Sequence, residues 1–537
     1  MIRLPLRPRL HFAFSCAALA SLYAALAPAQ STTPAVQRQL ARVQSAANSG
    51  PFKADWSSLA AYRVPEWFRD AKFGVFIHWG VYSVPAFGNE WYSRNMYQQG
   101  SADYKHQIAT YGPESKFGYK DFIPMFRAEH FDANAWVDLF ARAGARYVVP
   151  VAEHCDGFPM YDSDVTDWDA AKMGPKRDVV GELAAAARKR GLHFGVSSHR
   201  AEHWWWYNVG TKFDSDVRDP KSAGIYGPAM PMALPGDDGS KEPDPNHLER
   251  WLPPDKAFLD DWLARSTELV DKYHPDFLYF DWWIGQPAFR PYLQRFAAYY
   301  YNVAAARKQP VVLTYKEHAF PENAAVLDME RAKLDAQRLL PWQTDTSVSI
   351  HSWGYVDNDE YRDAKSLIDE LVDVVSKNGN LLLNVGPKSD GTIPDQARKV
   401  LLGIGAWLNT NGEAIYSSRP WFVFGEGPTR VTSTALNTDK QEFTSADIRF
   451  TTHNGTLYAI ALGWPSGGQL RIHSLFKSNP YLGGPVCNVQ LLGSQDKLTW
   501  NQKDDGLYID LPQIPPEEPA FTFRIMHSSG LTNHCGQ

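Results

Sequence analysis

Four cysteines in 537 residues are too few for a disulfide framework. Cys16 lies in the N-terminal apolar run. Cys487 and Cys535 fall together in the C-terminal region and are the candidate pair, which leaves Cys155 over. Excess basic charge is also missing. The 54 Lys and Arg stand against 60 Asp and Glu, a net charge of −6, so the chain has no electrostatic footprint for nucleic acid. Neither H-E-x-x-H nor paired C-x-x-C spacing occurs. His154, Cys155 and Asp156 are adjacent, but neighbours on a strand point to opposite faces and poorly suit one ion. No metal and no cofactor is expected. Beyond the N-terminus no apolar stretch is long enough to span a bilayer, so no membrane contact is expected once the leader is removed. No internal repeat at a fixed period is found.

Aromatic residues are abundant, with 19 Trp and 25 Tyr. Flat rings with a polar tip fill cores, and they also make platforms for the C–H faces of sugars. The first 29 residues read as a secretory signal peptide. Arg3, Arg7 and Arg9 precede an apolar run from Phe12 to Ala27, and Ala27-Pro28-Ala29 is a small-residue cleavage site. The mature chain is therefore expected to be secreted or periplasmic. Residues 30–55 are rich in Ser, Thr, Ala, Gln and Pro and read as a linker with room for one short helix.

Residues 56–411 alternate short β-like runs with helical ones. The expected strands are 73–80, 147–154, 193–199, 277–282, 311–317, 325–330, 348–353 and 380–387. Each starts apolar and ends on polar or chemically useful residues. "ANAWVDLFARAG" and "DAKSLIDELVDVVSKNG" carry apolar residues at helical spacing, the second with Gly379 expected just past its end. Eight strands with helices between most of them predict a (β/α)8-type barrel, whose strand C-termini carry the active site. Residues 412–537 change character. "IRFTTHNGTLYAIAL" and "LTWNQKDDGLYIDLP" are hairpin patterns, turning at Asn454-Gly455 and Asp505-Gly506. They predict a C-terminal antiparallel β-sandwich.

Two carboxylates stand at strand ends, Asp281 in "FLYFDWWIG" and Glu330 in "AVLDME". A glycosidase flanks the scissile bond with such a pair, one acid ionised and the other protonated. Glu330 beside Arg331 also fits a simple ion pair, and a strand-end Asp also fits a structural acid. His78, His154 and His199 end three other strands, with His203 just beyond. With Glu90, Trp91 and Trp353 they would line a site for a polyhydroxyl ligand.

The blocks "WFRDAKFGVFIHWGVYSVPAFGNEWYSRNMY", "AEHCDGFPMYDS", "FLYFDWWIG", "PWQTDTSVSIHSWGY", "NGNLLLNVGPKSDGTI" and "WLNTNGEAIYSSRPW" resemble the motifs of the α-L-fucosidases of glycoside hydrolase family 29, over roughly residues 60–425. The resemblance implies a retaining, metal-free exo-hydrolase that removes terminal fucose from fucosylated oligosaccharides or glycoconjugates. It implies Asp281 as nucleophile and Glu330 as acid/base, with Glu317 in "YKEHAF" as the fallback. His78, Glu90, Trp91, His154 and Trp353 match the family's sugar-binding positions. The second His of the family's paired motif is Cys155 here. Its "YYS"-like block is "SSHRAEHW", so Ser198, His199 or Glu202 takes over those contacts. These departures bear on the preference for fucose over L-galactose. Two alternatives stand beside this reading: a secreted carbohydrate-binding protein without catalysis, and a metal-dependent hydrolase.

Overall fold

The computed structural model describes residues 33–234, 250–432, 442–513 and 518–528. The expected signal peptide and Cys535 lie outside the described residues. Cys155 is free and buried, and Cys487 is disulfide-bonded.

Eight parallel strands close a barrel in sequence order. They are β1 (Phe73–Ile77), β2 (Tyr147–Glu153), β3 (His193–Ser198), β4 (Phe277–Phe280), β5 (Val312–Lys316), β6 (Val326–Glu330), β7 (Trp342–Ser347) and β8 (Gly379–Val385). β8 closes on β1 in the register Phe73↔Leu381. Helices Ala133–Arg142, Val179–Arg190, Lys256–Tyr273, Arg290–Ala306 and Ala364–Ser376 cover five of the crossovers, and Asp395–Asn411 follows β8. Acidic N-caps start several of them: Asp132, Asp255 and Asp363 each accept a hydrogen bond from a first-turn amide. The expected apolar stripes face inward, with Leu367, Ile368, Leu371, Val374 and Val375 all buried. Among the described residues no long helix separates β5, β6 and β7.

The seventh strand is not where its apolar residues suggest. Residues 348–353 are loop at the barrel mouth, and the strand is the polar run "WQTDTS" before them. All six side chains are buried, and the polar ones find partners. Gln343 donates to Asp328 Oδ2 (2.6 Å) and accepts from Tyr147 (2.9 Å), and Asp345 accepts from Lys316 (3.1 Å). A paired polar group can replace an apolar one in such a layer. The helix Ala364–Ser376 also ends differently. Asn378, at φ 71°, takes the left-handed position, while Gly379 opens β8. A Cβ on Gly379 would lie 2.7 Å from the Trp342 ring.

The segment 30–55 is no loose linker where it is described. Pro34–Ser49 is a helix capped by Thr33, and it packs on Lys256–Tyr273 and Arg290–Ala306. Val36 and Val43 are buried, and Gln39 donates to Asp271 (2.8 Å). Asn302 ties the exit down by accepting from Phe52 N (2.8 Å) and donating to Phe52 O (2.8 Å) and Ala46 O (3.1 Å).

Beyond the barrel, a five-stranded and a three-stranded antiparallel sheet enclose a second apolar core. Asn454 and Gly455 turn the first hairpin with φ of 49° and 76°, as a type I′ turn requires. The other hairpin pairs Lys503 with Gly506, so its loop is Asp504-Asp505, one residue before the expected pair. The sheets dock on Ala364–Ser376 through a buried ionic group. Arg449 reaches Asp373 (2.6 Å), which Lys377 also holds (2.7 Å).

Candidate active site

The barrel's C-terminal mouth opens into a hollow of about 420 Å³, within the range for small-ligand sites. Most residues singled out from the sequence line it: His78, Glu90, Trp91, His154, His199, Asp281, Glu330 and Trp353, with the fallback Glu317; Ser198 and His203 do not. The lining residues meet because successive strands end on them. His78, His154, His199 and Asp281 immediately follow β1 to β4, Glu317 follows β5, and Glu330 ends β6.

The two acids sit in opposite surroundings. His199 Nδ1 lies 2.8 Å from Asp281 Oδ2, and the Tyr279 hydroxyl is 3.2 Å from Asp281 Oδ1. Burial would raise the Asp281 pKa, but the charge and hydrogen bond of His199, helped by Lys316 and His78, hold it well below the usual carboxylate range. Glu330 is pushed up to about 7. Burial is the main cause; the nearby positive charge of Lys316 opposes it, and the negative charges of Asp345 and Asp281 add to it. Trp282 donates its indole N–H to Glu330 Oε2, and Lys316 Nζ stands 3.7 Å from that oxygen. Near neutral pH one acid is thus charged while the other still holds much of its proton, a division suited to a nucleophile and a proton donor.

The sequence reasoning missed Lys316, Asp345 and Tyr279. The Tyr279 hydroxyl lies 2.7 Å from Asp345 Oδ2, and Lys316 bridges Asp345 and Asp328 (2.7 Å). One polar network therefore links the surroundings of both acids. Its signal was a lysine inside the apolar run "VVLTYKE" and an aspartate inside "WQTDTS".

The remaining lining residues are held in turn. Asn384 of β8 faces His78, with its Oδ1 2.7 Å from the ring Nδ1. Glu90 Oε2 accepts from Trp353 N (2.8 Å) and Ser352 Oγ (3.1 Å). Burial, then the charge of His199, pushes His78 and His154 far below the usual imidazole range, so both are neutral hydrogen-bonding groups. Cys155, where the family motif has histidine, lines the hollow and donates to Glu202 (3.1 Å), which lines it too. His203 turns away, its Nδ1 2.8 Å from Cys155 O. Arg331 lies over the Trp353 ring at 4.9 Å and donates to Ile350 O (3.1 Å).

His78, His154 and His199 each offer a nitrogen within 4.8 Å of the others, a spacing that suits a metal ion. Both nitrogens of His199 already have partners, Asp281 at Nδ1 and Ser197 Oγ at Nε2 (2.5 Å). That leaves at most two of the three rings with a nitrogen to give.

A closed parallel barrel with two carboxylates of opposed ionisation, set in a sugar-sized aromatic hollow, defines the class as glycoside hydrolase. Comparison with known proteins narrows it. The family described as alpha-L-fucosidase matches residues 39–413, and the alpha-L-fucosidase C-terminal domain matches residues 440–526. Human tissue alpha-L-fucosidase is 32% identical over 486 residues, covering 88% of this chain and 91% of its own length. Human plasma alpha-L-fucosidase is 31% identical over 474 residues, with 86% and 89% covered. The crystal structure of Thermotoga maritima alpha-fucosidase in complex with fucose is 30% identical with a TM-score of 0.68, over 88% of this chain and 100% of that one. The chain belongs to the alpha-L-fucosidase family and is a glycoside hydrolase.

Proposed function

We propose that this chain removes terminal α-L-fucosyl residues from fucosylated oligosaccharides or glycoconjugates, with retention of configuration. The observation that carries the reading is the opposed ionisation of Asp281 and Glu330 in one hollow. In the first step the Asp281 carboxylate attacks the anomeric carbon, and the bond to the leaving oxygen breaks as Glu330 gives that oxygen its proton. A fucosyl ester on Asp281 results. In the second step Glu330, now ionised, takes a proton from water; the water oxygen bonds to the anomeric carbon and Asp281 departs. His78, His154 and Glu90 hold the ring hydroxyls, His199 holds Asp281, and Trp91 and Trp353 supply apolar faces. The Thermotoga protein's complex with fucose supports a fucosyl unit in the corresponding hollow. Sequence departures at Cys155 and around His199 leave L-galactosides as the competing sugars to assay. The N-terminal pattern supports export to the periplasm or medium, tested by N-terminal sequencing of the mature protein for cleavage after residue 29.

Proton NMR of a fucoside digest tests the mechanism, with α-L-fucose expected as the first product. Asp281→Ala abolishes turnover of an aryl α-L-fucoside while the circular dichroism spectrum stays native. Glu330→Ala loses about 10²–10⁴-fold on poor leaving groups, less on activated ones, and azide restores it. If Glu317→Ala shows that pattern instead, the acid/base is Glu317.

A further inference from the structure

A second hollow adjoins the catalytic one. It holds about 350 Å³, and Trp56, Gln286, Arg290, His318 and Phe320 line it. Gly285 is a wall of both hollows. The loop after β4 runs from Asp281 through Gly285 to Gln286. The turn after β5 places Glu317 in the catalytic hollow and His318 in the second one. β6, which ends in Glu330, is the next strand of the barrel. An acid that protonates the leaving oxygen faces the leaving group. β5 lies between β4 and β6, so a leaving group that passes over the loops after β4 and β5 reaches the second hollow, which those loops line.

The lining suits a sugar ring. The half-buried Trp56 indole is braced edge-on by Phe320, with ring centroids 5.3 Å apart. Arg290 and His318 are exposed donors. Gln286 is only 1% exposed, its Nε2 donates to Leu252 O (3.2 Å), and its Oε1 has no hydrogen-bond partner among the described residues. A buried acceptor left unmade is costly. A pyranose supplies what is missing: a C–H face for the indole and hydroxyls for the amide and the two exposed donors.

We propose that this second hollow is the leaving-group subsite, binding the pyranose to which the fucosyl unit is attached through stacking on Trp56. The inference rests on the hydrolase reading above and deepens it: the preferred substrate class is a fucosylated oligosaccharide, not a simple fucoside.

The test compares an aryl α-L-fucoside with the fucosyllactose isomer that the wild-type chain cleaves fastest. Trp56→Ala is expected to lower kcat/KM on the fucosyllactose roughly fivefold, mainly through KM, the scale of one aromatic contact. Aryl-fucoside kinetics stay within about twofold by the same reasoning. Arg290→Ala, at an exposed position, gives the same selective loss and serves if Trp56→Ala does not fold. Unchanged kinetics on both substrates, equal losses on both, or no cleavage of any fucosyllactose overturns the subsite alone. Failure of the wild-type chain on the aryl fucoside overturns the hydrolase reading and the subsite with it.

Discussion

His199 holds Asp281: Nδ1 of the one lies 2.8 Å from Oδ2 of the other, while Ser197 grips the far side of the ring. Ser197 and His199 are two apart along β3 and its extension, so both face the barrel mouth. The pair keeps a half-buried carboxylate charged where burial alone would favour its protonated form.

Replacing His199 with Gln removes that charge. The Asp281 pKa then rises toward the ordinary range, so the acid limb of kcat/KM against pH moves to higher pH. The rate at the optimum falls roughly tenfold or more, the scale of a charge-assisted hydrogen bond. An acid limb that stays in place while the rate falls would assign His199 to the sugar alone.

In the proposed mechanism Glu330 gives up its proton in the first step, so activity is expected to decline as pH rises through about 7. The Trp282 hydrogen bond stabilises the charged form and lowers that pKa. Trp282→Phe is therefore expected to move the alkaline limb to higher pH. A shift to lower pH, in the same aryl-fucoside profile, contradicts the assignment of that limb to Glu330.

Lys316 is buried among Asp328, Asp345 and Glu330. Lys316→Met leaves two buried aspartates without their cation, at a cost of about 3–5 kcal/mol in stability by denaturant titration. In whatever fraction remains folded, the alkaline limb moves up, because Lys316 favours ionised Glu330. Equal stability of mutant and wild type would show that the aspartates take up protons at no cost.

Arg449→Ala breaks the ionic group between barrel and sandwich, but Lys377 still holds Asp373. The expected loss is about 3 kcal/mol, at the low end for a broken buried pair, with aryl-fucoside kinetics unchanged below the melting transition. A fall in kcat without loss of stability would mean that the sandwich acts on the active site rather than bracing the barrel.

The barrel was legible because most of its strands are apolar runs that turn polar at their C-terminal ends. β1 to β6 and β8 start within one residue of the expected positions and stop at most three residues before the expected ends, and the acids and histidines follow from where those strands stop. β7 was not legible. Its polar side chains carry no apolar periodicity, and partners from β2, β4, β5, β6 and β8 make their burial favourable. The helix Pro34–Ser49 was underestimated for a related reason: its stability comes from packing on two helices more than 200 residues away in the chain.

The sequence by itself determined the class of fold, and it singled out two acids and a set of residues that line one hollow. Strand periodicity and side-chain chemistry are local properties, and a barrel brings strand ends together whatever the details. Only the tertiary structure decided which acid is charged. That depends on His199, Trp282, Lys316 and Asp345 arriving from four other positions in the fold, and electrostatic energy is set by distance in space, not along the chain.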